Sequence, residues 1–258
     1  MRDNFYKFAP WVFGFALGWI LFNPPAWLQA LGPLAWVINI AICAALLLSV
    51  VALVILANLP RELSLEDVTE NDVHPELRGM AAQFAELGFQ PAGGPWRVNV
   101  APTAILMGFV HPSQPVYATA FRTETLPAKL GYDFISMLHG EKGGLTTNAM
   151  PDGAVLPESA GSLRQVFPGA TPQTLFERHL EGIAYLHERG VQVRAVSGGT
   201  LRHDFAKAMA DQRALFVASP FRGALVTLWR AATKRVPFVG ALRDQKIASQ
   251  QIARLLAS

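Results

Sequence analysis

The hydrophobic pattern divides the chain sharply at residue 60. From Phe8 to Pro60 no Asp, Glu, Lys, Arg or His occurs. About 20 apolar residues in a helix cross the ~30 Å hydrocarbon core of a bilayer, so this run is too long for one span and suits two. Asn23, Pro24 and Pro25 interrupt it, because proline lacks the amide hydrogen and disfavours helix in the residue before it. Gly32 and Pro33 punctuate again. The pattern predicts a transmembrane hairpin over residues 1–60, with spans at about 8–22 and 34–59. Residues 19–28, WILFNPPAWL, offer no small-x-small cleavage site, so a cleaved signal is not expected.

After residue 60 the pattern is that of a folded domain. Residues 61–72, RELSLEDVTEND, carry five acidic residues against Arg61 and are read as an acidic linker, one that anionic head groups repel. Within 73–200, Leu77, Met80, Phe84 and Leu87 recur at helical spacing over 74–87. AILMGFV (104–110) and VYATAF (116–121) flank the turn HPSQP, and YDFISML (132–138) and LTTNAM (145–150) flank HGEKGG, predicting two hairpins. Residues 151–170 read as an irregular loop. Thr171-Pro172 is a helix start and Gly190 its stop. VQVRAV (191–196) alternates like a strand. The expected fold is membrane-anchored α+β: the hairpin, then a cytoplasmic antiparallel sheet of four or five strands with packed helices, then an amphipathic helical tail.

That tail, 201–258, is predicted as helices over 201–217, 221–235 and 241–257. In the second, Phe221, Ala224, Leu225, Leu228, Trp229 and Ala232 share one side, with Arg222, Arg230 and Lys234 on the other. Charge sharpens this picture. Residues 200–258 hold ten Lys or Arg against three Asp, while the whole chain is only +3. A basic amphipathic helix with an apolar Trp suits an anionic lipid surface. The expected partners are the lipid bilayer, its anionic head groups, and an unidentified membrane or cytoplasmic protein. Arg222, Trp229, Arg230, Lys234 and Arg235 are the expected contacts. Nucleic acid is not expected, since no motif or aromatic–basic platform accompanies the charge.

Basic flanks also set orientation. Arg2 and Lys7 precede the first span, Arg61 follows the second, and the loop between is uncharged. The positive-inside bias then gives a two-pass protein of a cell (inner) membrane with both termini cytoplasmic. Gly14 and Gly18, and the stripe Ala41, Ala45 and Ser49, are the expected helix–helix packing positions. The absence of charge at depth argues against an ion path or transporter core.

Candidate chemistry is sparse. The chain has a single cysteine, Cys43, and lacks G-x-x-x-x-G-K-[ST], G-x-G-x-x-G and G-x-S-x-G. His139 and Glu141 form H-x-E, but the P-C-x-x-C that completes the deaminase zinc site is absent. His179 and His187 lie two helical turns apart, about 12 Å, too far to share a metal ion. All six histidines are read as structural; no metal and no cofactor are expected. A ligand cleft, if the domain forms one, is expected near Asp133, His139, Glu141 and Thr147, around the second hairpin. The expected function is a non-catalytic adaptor domain or accessory subunit of a membrane complex. The alternative is a membrane-tethered enzyme or small-ligand-binding domain using the polar end of the sheet.

Overall fold

The computed structural model describes residues 19, 32–59, 62–99, 103–124, 127–141, 143–150, 161–233 and 238–257. They belong to two compact units, 1–54 and 55–258.

In the first unit begins helix α1, Pro33–Asn58, an uncharged stretch long and apolar enough to cross a membrane. Its 26 residues reach about 39 Å, enough to span with some tilt. Among the described residues this is one spanning helix, not two. The first predicted span, with Gly14 and Gly18, lies outside the described residues except for Trp19. The span that the expected packing stripe on α1 would meet lies outside the described residues. The covered positions are Ala35, Asn39 and Cys43, at i, i+4 and i+8, while Ala41 and Ala45 are exposed and Ser49 donates to its own helix at the Ala45 carbonyl (2.8 Å). Two residues are ~200° of helical arc, so the small-residue stripe faces away from the covered one.

The second unit is α+β. Its sheet has seven strands in sequential order: β1 (Leu65–Asp67), β2 (Gln90–Val98), β3 (Ala104–Val110), β4 (Tyr117–Thr123), β5 (Leu130–Met137), β6 (Gly144–Asn148) and β7 (Ser162–Val166). All neighbours are antiparallel except β6 and β7, which are parallel. The expected antiparallel sheet of four or five strands is therefore a mixed sheet of seven. The two hairpins stand where the alternation puts them. The added strands come from the acidic linker (β1), from QPAGGPWRV (β2) and from the expected loop (β7). A parallel pair needs a crossover of about a dozen residues, and 149–161 supplies that length. Conversely, 191–196 forms no strand. Val193 makes one bridge to Leu138, and the Arg194 amide donates to the Met137 carbonyl (2.8 Å).

Both faces of the sheet carry helices. On the first lie α2 (Pro75–Glu86) and α3 (Pro172–Glu188), with Leu77 and Phe84, and Leu175 and Leu186, buried against Phe109, Ala118, Phe134 and Leu145. Each helix starts as its capping residue dictates. His74 Nδ1 accepts the Glu76 amide (3.3 Å), Thr171 Oγ1 accepts the Thr174 amide (3.3 Å), and a proline follows each cap at the first helical position. On the second face lies α4 (Gly198–Ala218), packed on β2 and β3 around Trp96, Leu106, Tyr117 and Leu201. Gly108 allows that approach: a Cβ there would sit 2.2 Å from Leu201 Cδ2.

Helix α5 (Pro220–Thr233) follows α4, and α6 (Lys246–Ala257) closes the chain. Ala248 and Ile252 of α6 lie in the same core as Phe134 and Leu145. The last helices thus belong to the compact unit of the sheet and do not form a free tail.

Candidate ligand cleft

Helix α4 covers β2 and β3, which leaves the second face of β5, β6 and β7 open beside it. The result is a cleft of about 340 Å³. Strand alternation decides what it contains. On β5 the residues Asp133, Ile135 and Met137 face it, while Tyr132, Phe134 and Ser136 face the opposite core. On β6 and β7 the same rule presents Gly144, Thr146, Ser162 and Arg164. Helix α4 supplies the other wall with Phe205, Ala208 and Met209, and with the charged Asp204, Lys207 and Asp211. The cleft therefore has an apolar floor and a ring of opposite charges, the form of a site for a small ligand.

Its electrostatics centre on Asp133. Burial pushes its carboxyl up to about 6, against the nearby Arg164 charge and a hydrogen bond from its cross-strand partner Asn148, both of which lower it. A carboxyl shifted by burial inside a cleft makes Asp133 a candidate for a site. At the other side Arg194 pairs with Asp204 (2.7 Å), whose second oxygen accepts the Tyr117 hydroxyl (2.8 Å). That hydroxyl also meets Thr200 Oγ1 (2.5 Å), and its burial raises Tyr117 to about 12. Lys207 pairs with Asp211 (3.1 Å) one turn along. Two buried polar atoms here lack a partner: Arg194 Nε and Asn148 Oδ1.

Of the four residues expected around the second hairpin, the three with described side chains do not converge. Asp133 lines the cleft. Thr147 faces the other way, into the core under α3, because consecutive strand residues alternate. His139 is exposed in the turn after β5, beside a separate hollow of about 300 Å³ with Gly190 and Val191. The side chain of Glu141 lies outside the described residues. Sequence reading missed Arg164, Arg194 and Asp204. Arg164 sits in a segment taken for loop, and Arg194 and Asp204 meet only because 191–196 leaves the sheet.

Thr147 belongs to a second polar constellation, buried and fully directed. Ser136 Oγ donates to the Pro115 carbonyl (2.7 Å), so it accepts from His179 Nε2 (2.9 Å). His179 Nδ1 must then accept from Thr147 Oγ1 (2.8 Å), which in turn accepts from Gln165 Nε2 (3.1 Å). Gln165 Oε1 receives the Leu242 amide (3.0 Å). Desolvation holds His179 neutral, its value lowered to about 3. Every hydrogen has one direction, so this network organises the core and exposes no group to a ligand. The structural reading of His179, His74 and His111 follows from such contacts; His111 Nδ1 accepts the Ser113 and Gln114 amides in the β3–β4 turn (3.2 and 3.1 Å).

No family model, curated protein or solved structure matches the chain. The reading of the cleft therefore rests on its own geometry.

Among the expected contacts of the basic helices, Arg222 and Trp229 are exposed on α5, while the Arg230 guanidinium lies over the Phe238 ring (5.4 Å). Lys234 and Arg235 lie outside the described residues.

Proposed function

We propose that the chain is a membrane-anchored, non-catalytic binding domain whose cleft beside α4 takes a small amphipathic molecule. The observation that carries this reading is the placement of Asp133, Arg164 and Arg194 around one apolar floor made by Ile135, Met137 and Phe205. An apolar body fits the floor, a donor or cationic group suits the Asp133 carboxylate, and an acceptor suits the Arg164 side chain in the lining. The volume is at the small end of ligand sites.

The anchor in this reading is the two-span hairpin, about 8–22 and 34–59, with both ends in the cytoplasm of an inner-membrane protein. Its support is the uncharged run together with Arg2, Lys7 and Arg61. An accessory-subunit role is compatible with it, the bound molecule then governing what the domain contacts.

The test is untargeted mass spectrometry of organic extracts from the purified full chain, wild type against Ala208→Trp. Ala208 is an exposed helical position lining the cleft, so an indole there fills the space at little risk to folding. A small molecule enriched with wild type and lost from the variant supports the reading; equal extracts from both refute it.

A further inference from the structure

Helix α5 leaves its apolar side uncovered. Phe221, Leu225 and Trp229 recur at i, i+4 and i+8, each more than half exposed, and Val217 at the end of α4 is exposed too. Gly223 and Ala224 are the buried positions; a Cβ on Gly223 would meet the Phe216 ring at 2.6 Å. The helix therefore packs on α4 through its small residues and presents its large ones outward. This inverts the usual arrangement of a surface helix, in which the large apolar residues face the core.

We propose that this stripe inserts into the interfacial layer of an anionic lipid bilayer, as a second attachment beside α1. Three observations select lipid over protein. First, Arg213 Nη1 donates to the carbonyls of Leu56 (3.0 Å) and Leu59, at the C-terminal end of the apolar helix. Pro220 follows Arg213 by seven residues, about 10 Å along a helix, so α5 begins near the point where the chain leaves the apolar segment. Second, the stripe holds Phe, Leu and Trp, with Trp the residue enriched at the head-group level. Third, charge is complementary: Arg222 is exposed next to the stripe, and Lys234 and Arg235 follow directly in sequence, within a segment of ten basic and three acidic residues. A helix of this kind lies in the plane of the interface. The inference rests on the membrane anchoring proposed above, under which weak affinity suffices. The inference is independent of what the cleft holds.

The test uses the full chain with Cys43→Ser, carrying Leu225→Cys labelled with a polarity-sensitive fluorophore. Glu177→Cys, exposed on α3, is the control. Each is placed in nanodiscs of phosphatidylcholine with phosphatidylglycerol, and of phosphatidylcholine alone, with and without acyl-brominated lipid. The expected result is a blue shift at 225 and bromolipid quenching several-fold above that at 177, weakened by removing phosphatidylglycerol or adding salt. A blue shift without bromolipid quenching shows the stripe covered by protein, a second copy included, and overturns the proposal. An unshifted, iodide-quenched label at 225 shows it bare in water and overturns it too.

Discussion

Arg194 and Asp204 meet at 2.7 Å across the edge of the cleft, joining the segment after α3 to the first turns of α4. The carboxylate is nearly buried and the guanidinium partly so, and Asp204 also holds the Tyr117 hydroxyl. Breaking the pair leaves a buried charge with one remaining partner. Arg194→Met is expected to cost about 1.5–5 kcal/mol, the range between a lost charged hydrogen bond and a broken buried ion pair. Adding Asp204→Asn is expected to recover part of that loss, because the orphaned charge goes with it. Urea denaturation of the single and double variants measures both; additive losses refute the coupling.

The acid limb of stability carries the signature of His179. Its folded value is lowered from 6.5 to about 3, so between those values the unfolded chain binds the proton and the native chain does not. Stability from this group is therefore lost as pH falls below 6.5, by up to about 1.4 kcal/mol per pH unit. The difference between wild type and His179→Gln, followed by thermal melts from pH 7 to 4, is expected to show that slope. A difference independent of pH contradicts it.

Asp133 contributes the opposite slope. Its folded value is raised from 3.8 to about 6, so its contribution is complete below 3.8 and declines as pH rises to about 6. In that window it offsets His179. Asp133→Asn is expected to fall off more steeply than wild type toward acid, and to lose any change in ligand retention centred near pH 6. A parallel stability profile rules out a neutral native carboxyl at that site.

Close approach sets a further test. A Cβ on Gly182 of α3 would lie 2.5 Å from Gln165 Nε2 and 3.0 Å from Leu145 Cδ2. Gly182→Ala raises intrinsic helix propensity by up to ~1 kcal/mol, yet a net loss of about 1–3 kcal/mol is expected, since the methyl displaces the amide that holds Thr147 and Arg178. A stabilised variant, read as a higher melting temperature, means that the helix moves away freely.

What the sequence made legible follows from where local pattern and final environment agree. The β3–β4 and β5–β6 hairpins alternate cleanly around their turns, and α2 and α3 announce themselves by His74-Pro75 and Thr171-Pro172. Strand β2 was hidden because Pro91, Gly93 and Gly94 break its period, and its pairing with β3 shifts register at those residues. Strand β7 is short and lies past a Gly- and Pro-rich stretch, and its parallel partner leaves no turn signal. The segment 191–196 alternates but has only one bridge to complete. Asp133 was recoverable as a lone acid in a strand. Its companions Arg164 and Arg194 come from segments whose path only tertiary pairing defines. Thr147 was misplaced by one strand position, which is the whole thickness of the sheet.

The most direct test of the cleft as a binding site is native mass spectrometry of the full chain released gently from detergent, wild type beside Ala208→Trp. The account predicts that wild type carries a second series displaced by the mass of one small molecule, and that the tryptophan variant appears bare. A bare wild type, or the same adduct on both proteins, contradicts it.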